Sequence, residues 1–213
     1  MFRISDEFEV VAKIVAGVTH QLNNVFSIVD EISGSIQDTI NLGGNLTAEN
    51  LKKKLDKISH HSQRGKVLVK SLNRFVHLRD TTFRETDIIE LLEDFVLLHS
   101  HFINQKGFRF ATFFEEEKKL VFCSPFYLFY ACHQIVWNFL NIKNENSEIK
   151  ISVSGGADSL KIVFSTILPK ESKSDFNELI VSLGQIVSGY NIGVNLKDEE
   201  PYATVEVCFI HNK

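Results

Sequence analysis

Cysteine is scarce in this chain: three residues, Cys123, Cys132 and Cys208, in 213. They stand in apolar runs without CxxC spacing. That excludes a disulfide framework and a cysteine metal site, and reads as buried small hydrophobes of a reducing cytoplasm. Positive charge of the kind that binds nucleic acid is also missing, since 23 Lys and Arg against 27 Asp and Glu leave a formal charge of -4. The first residues, Met-Phe-Arg-Ile-Ser-Asp, have no basic segment followed by an apolar core, so no signal peptide is expected. A membrane-length apolar run is lacking as well. Leu120 to Leu140 comes near one, but Pro125, His133 and Gln134 interrupt it, and Ser124-Pro125 reads as a break between a buried strand and a buried helix. The expectation is a cytoplasmic protein with no nucleic-acid or membrane partner.

What is present is a long heptad pattern. Phe8, Val11, Val15, Val18, Leu22, Val25, Val29, Ile32 and Ile36 follow one another in steps of three and four. Such spacing predicts a helix, roughly Asp6 to Asn41, packed along one seam against other helices. With Phe8 at position a, His20 falls at f, farthest from the seam and facing solvent. After the turn Leu42-Gly-Gly-Asn-Leu46, Thr47 is the expected N-cap of a second helix reaching about Arg79. Its seam is Leu51, Leu55, Ile58, Ser62, Gly65, Val69, Leu72 and Val76, with Ser62 and Gly65 small enough for close helix approach or a bend. Two such helices form an antiparallel hairpin, and two hairpins pair into a four-helix bundle, which predicts a homodimer. The alternative is a hairpin packed on the rest of its own chain. His60 and His61 point about 100° apart on a helix and cannot easily share a metal. They, His99 and His101 read as surface or satisfied histidines.

From Arg84 the pattern changes. An amphipathic helix from Glu85 to Leu98 is followed by strands at Phe108–Phe113 and Lys118–Cys123, and by a buried helix from Phe126 to Leu140. Strands at Glu148–Ser154 and Leu160–Ile167 follow, joined through Gly155-Gly156. A helix from Phe176 to Val187 and strands at Ile192–Leu196 and Thr204–Ile210 close the chain. The fold class is α+β: an N-terminal helical hairpin, 1–80, and a layer of helices on a mixed sheet, 81–213.

An exposed histidine at an f position is by itself one polar residue on a wet face. The run His20-Gln21-Leu22-Asn23-Asn24, preceded by Gly17-Val18, resembles the H-box of bacterial sensor histidine kinases, with Gln21 where many members carry an acid. The resemblance extends over nearly the whole chain. The segment from Arg84 onward is similar to the ATP-binding domain of that family. Ser124-Pro125 stands where Asp-Pro is common, and Asn138 matches the second asparagine of the N-box, whereas Gln134 departs from the first and Phe139 replaces a small residue. The departures grow after that. The Asp-x-Gly-x-Gly loop of the family has no counterpart in Leu160–Lys170, which has neither Asp nor Gly, and Lys170–Phe176 lacks glycine and is too short for the family's glycine-rich lid. Phosphate cradling needs closely approaching backbone amides, which is why glycines serve there. The resemblance therefore implies a degenerate histidine-kinase ATPase-like α/β sandwich with no bound cofactor and no metal of its own.

The function implied is a histidine phosphotransferase in a two-component phosphorelay. His20 would accept a phosphoryl group from the aspartate of one response-regulator receiver domain and pass it to another. Gln21, Asn24 and Ile28, one, four and eight residues on, run down one flank of the helix and are the expected supporting or partner-docking residues; Ile28 either docks the partner or packs at the edge of the bundle. Three alternatives remain: a receiver phosphatase with Asn24 orienting a water, a non-catalytic dimeric scaffold, and an active kinase with an unusual ATP site.

Overall fold

A computed structural model describes residues 4–114, 118–141, 148–155, 160–167, 173–199 and 202–209. Helix α1 spans Ile4–Asn41 and α2 spans Ala48–Val76, continued by one 3-10 turn at His77–Arg79. Thr47 caps α2, its side chain accepting from the amide of Asn50 at 3.2 Å. The two helices lie antiparallel. Gly65 allows the close approach: a methyl group there would stand 3.3 Å from Val25 and 3.8 Å from Leu22.

The second part begins with a strand that the helical pattern concealed. β1 (Arg84–Asp87) pairs antiparallel with β3 (Leu120–Cys123) in a small sheet of their own. The helix expected from Glu85 starts at Ile88 because Asp87 caps it, accepting from Ile89 at 3.1 Å and from Lys119 of the neighbouring strand at 3.3 Å. α3 then runs over Ile88–Gln105 and ends at Gly107, whose φ of 76° takes the left-handed turn that suits glycine. β2 (Arg109–Phe114), α4 (Pro125–Asn141), β4 (Glu148–Ser154), β5 (Lys161–Ile167), α5 (Lys173–Val187), β6 (Ile192–Glu199) and β7 (Tyr202–Phe209) follow. The main sheet has the order β2-β4-β5-β7-β6, with β2 parallel to β4 and the other pairs antiparallel. It is the mixed sheet expected. Gly156 of the foreseen turn, and residues 168–172 where a lid would lie, are outside the described residues.

Alternation along the strands sets the core. Ile149, Ile151, Val153, Ile162, Phe164, Val205 and Val207 face the helices. Residues on the other face carry charge, and there Lys161 and Lys197 hold Glu206 at 3.2 and 2.7 Å. All three cysteines are free thiols, Cys123 and Cys132 buried and Cys208 half-buried. No described helix is long and apolar enough to cross a membrane.

The seam of α1 is divided between two neighbours. At the heptad d positions, Val18 and Val25 are buried and Val11 and Ile32 half-buried. A second buried stripe, Val10, Ile14, Gly17 and Gln21, lies at positions c and g and packs against the second part of the chain. Phe8 and Val15, at a, are instead 72% and 39% exposed. On α2 the buried residues are Gly65, Leu68, Ser71 and Phe75, while Leu55, Val69 and Val76 of the expected seam are exposed. A helix between two partners on different sides must bury two stripes, and a single heptad register describes only one.

The hairpin and the sheet layer therefore share one core. Phe75 of α2 meets Phe129 of α4 at 4.6 Å between ring centroids, and Phe129 meets Phe95 of α3 at 5.2 Å. Polar clamps surround this contact. Asp94 accepts from Ser71 Oγ and Arg74 Nε, both at 2.6 Å. Glu7 accepts from Tyr127 at 2.8 Å and pairs with Arg79, and Lys13 sits 3.8 Å above the Trp137 ring.

Candidate functional site

His20 lies on the solvent side of α1, as its heptad position demands, but not in the middle of an open face. Helix α3 runs alongside, held close by Gly17: a methyl group at that residue would stand 2.6 Å from the Phe102 ring. One residue before Phe102, His101 stacks on His20 with centroids 4.4 Å apart and planes inclined by 27°. Burial and the neighbouring His20 both hold the His101 imidazole below its ordinary pKa. By sequence alone His101 reads as a surface or satisfied histidine. Its signal is tertiary, since 81 positions separate it from His20 and no local pattern links them.

Asn24, one turn on, places its side-chain amide 3.4 Å from His20 Nδ1. The two ends of a carboxamide exchange by a half-turn. The nitrogen end, Nδ2, faces the ring, where it donates to Nδ1 and leaves the ring proton on Nε2; the half-turn that brings Oδ1 there instead lets Nδ1–H donate and frees the Nε2 lone pair. Gln21 does not lie on an open flank as its g position suggested. It is buried under α3, where its Oε1 is 3.4 Å from the Ser100 hydroxyl and its Nε2 is enclosed without a hydrogen-bond partner. Ile28 is half-buried at the far end of the same strip. Between α1, α2 and α3 an open cleft of about 370 Å³ is lined by Gln21, Asn24, Ile28, Arg64, His101 and Asn104 among others. Arg64 comes from α2 and had no place in the sequence reading.

On α4 the residues that resemble the N-box are engaged within the protein. Asn138 turns back on its own helix, its Nδ2 donating to the Gln134 carbonyl at 2.8 Å. Phe139 is fully buried and stacks on Phe176 of α5, with centroids 5.2 Å apart and planes within 17°. Among the described residues no group of three or more His, Cys, Asp or Glu could hold a metal ion.

A second histidine pair lies deeper. His99 Nδ1 donates to the Phe95 carbonyl at 2.8 Å, so its Nε2 is free to accept from His133 Nδ1, also at 2.8 Å. This chain of bonds is complete with both rings neutral, and burial keeps them so. Burial pushes His99 down to about 4 and His133 well below its ordinary value. A histidine whose folded pKa is depressed adds stability that is complete above its unfolded value near 6.5 and drains away as pH falls toward the folded one. For His99 alone the loss between pH 7 and pH 4 comes to roughly 3 kcal/mol. Urea titrations at pH 7 and pH 4.5 should show most of that fall together with the share of His133, and a His99→Phe variant should show a fall smaller by the His99 share only; equal slopes against pH for the two proteins would contradict the buried neutral pair.

No protein-family model matches the sequence, and no curated protein matches it. Solved structures do resemble the fold. The catalytic domain of histidine kinase ThkA is 16% identical, with a TM-score of 0.52 over 61% of this chain and 96% of that one. Histidine kinase AdeS of Acinetobacter baumannii is 12% identical, with a TM-score of 0.53 over 91% of this chain and 98% of that one. ThkA in complex with response regulator protein TrrA is 16% identical, with a TM-score of 0.51 over 95% of this chain and 62% of that one. The chain therefore has a histidine-kinase-like fold, an N-terminal helical region followed by an ATPase-like α/β layer.

Proposed function

We propose that the protein is a histidine phosphotransferase of a two-component phosphorelay, with His20 as the acceptor on a hairpin of residues 1–80 and residues 81–213 as a degenerate ATPase-like partner. The observation that carries this reading is an exposed His20 whose Nδ1 is engaged by Asn24, in a fold of histidine-kinase type. The Phe139–Phe176 stack, and the engagement of Asn138 with its own helix, support transfer over ATP-dependent phosphorylation.

The step is simple in its accounting. The Nε2 lone pair of neutral His20 attacks the phosphorus of a receiver aspartyl phosphate, the P–O bond to the carboxylate breaks, and an N–P bond forms. The carboxylate leaves with its electron pair, and the Nδ1 proton stays on the ring, where Asn24 accepts it once its carboxamide is turned oxygen-first. Catalysis of this kind is mostly positioning and charge neutralisation, and the receiver brings its own metal ion. Transfer between two energy-rich groups does without the acid that Gln21 replaces. A response-regulator receiver is the proposed partner; ThkA was itself solved with a response regulator.

The exposed stripes of Phe8 and Val15 on α1 and of Leu55, Val69 and Val76 on α2 suit a second copy of the hairpin, completing a four-helix bundle. Light scattering at tens of micromolar should give a dimer mass, and Val69→Glu should give a folded monomer, because a charge at that exposed position is buried only when the copies pair. A native monomer would overturn the bundle. Val25, 3% exposed inside the hairpin, would unfold the protein if so replaced and is no probe of dimerisation.

The test of function is incubation with receiver domains carrying labelled aspartyl phosphate. Label on His20, chased onto a second receiver, supports the reading. Release of inorganic phosphate without labelled protein would favour a receiver phosphatase, and micromolar Mg-ATP binding by calorimetry would favour a kinase. Binding without transfer or release would leave a scaffold.

A further inference from the structure

Every polar group named at the cleft beside His20 can donate a hydrogen bond, and none of its described lining residues is a carboxylate. Arg64 makes no ion pair among the described residues. Gln21 Nε2 is a buried donor with nothing to bond, which costs about 1–3 kcal/mol unless a partner arrives. Asn24 and His101, both in the lining, are also the two side chains that touch the His20 ring. The cleft is thus joined to the imidazole through Asn24 and His101, His20 itself not being in its lining, and combines a guanidinium with unsatisfied or exposed amides. A tetrahedral oxyanion matches that set: it brings strong acceptor oxygens and nearly two negative charges, and arginine takes it in paired hydrogen bonds.

We propose that the cleft between α1, α2 and α3 is a phosphoryl-binding pocket, with Arg64 neutralising the group and the amides of Gln21 and Asn104 donating to its oxygens. The identification of the ligand as the phosphoryl group of His20 rests on the function proposed above; the pocket's affinity for the oxyanion itself does not. Arg64 is then a positioning residue, contributed by the hairpin's second helix and unmarked by any motif.

Two arms separate the sources of the oxyanion, and neither uses a receiver. In the first, inorganic phosphate is titrated into the native protein while the side-chain resonances of His101 and Arg64 are followed by NMR. Saturable shifts are expected, weakened about tenfold by Arg64→Gln, the scale of one lost charge-assisted hydrogen bond. Lys66→Gln, an equally exposed charge on α2, should change nothing. In the second, His20 is phosphorylated with phosphoramidate and the lifetime of the phosphohistidine is measured. Arg64→Gln should shorten it severalfold while Arg64→Lys retains part of it. An effect in the first arm alone assigns the pocket to free phosphate, and one in the second alone to the group on His20. If Arg64→Gln matches the native protein, or Lys66→Gln, in both arms, the pocket is wrong. A failure of receiver transfer with either arm positive would overturn the phosphotransferase reading and leave the pocket standing.

Discussion

If the proposed function holds, His20→Ala is expected to abolish acceptance of phosphoryl label, a loss of a thousandfold or more when a nucleophile is removed, and to leave the molecular mass in solution unchanged. The melting temperature stays within a few degrees, because the ring is exposed and its contacts are one weak hydrogen bond to Asn24 and one stack with His101. Both measurements are needed. Loss of label with a collapsed melting temperature would mean that the fold had failed rather than the chemistry. Retained label would place the acceptor on another histidine. His99 and His133 are then poor candidates, being buried and bonded to each other, and His101, half-buried against the same ring, is the one to replace next.

Phe129→Ala is expected to have the largest effect on stability. Phe129 is 1% exposed and touches Phe75, Phe95 and His99, so its removal opens a cavity where α2, α3 and α4 meet. A buried Phe→Ala change costs about 3–5 kcal/mol, which for a domain of this size lowers the melting temperature by about 10 °C or more. Because that ring joins hairpin to sheet layer, calorimetry of the native protein should give one cooperative transition, and the variant should melt earlier but still as one. Two separate transitions in the native protein would mean that the shared core contributes little to holding the parts together.

Much of the chain was legible in its sequence because the signals were local. Heptad spacing defined both long helices, Thr47 marked the start of the second, and alternating residues marked the main strands; each depends on residues a few positions apart. The strand Arg84–Asp87 was hidden because it is four residues long and pairs with a segment 36 positions away. Its acidic residues looked like a helical first turn, and one of them, Asp87, does cap the helix that follows.

The seam was only half legible. Apolar spacing told which residues of α1 could be buried, but not against what. Val10 and Ile14, absent from the heptad, are more deeply buried than Phe8 and Val15, which define it, because α3 and α4 dock on a different side of the helix from α2. The same docking encloses Gln21, brings His101 onto His20 and sets His101 in one cleft with Arg64. The sequence by itself determined the order of the elements other than β1, the fold class and the exposed place of His20, all of which follow from periodicities of two, three and four residues. Only the tertiary structure decided the surroundings of that histidine, because helices far apart in the chain supply them and the burial of a side chain depends on what packs over it.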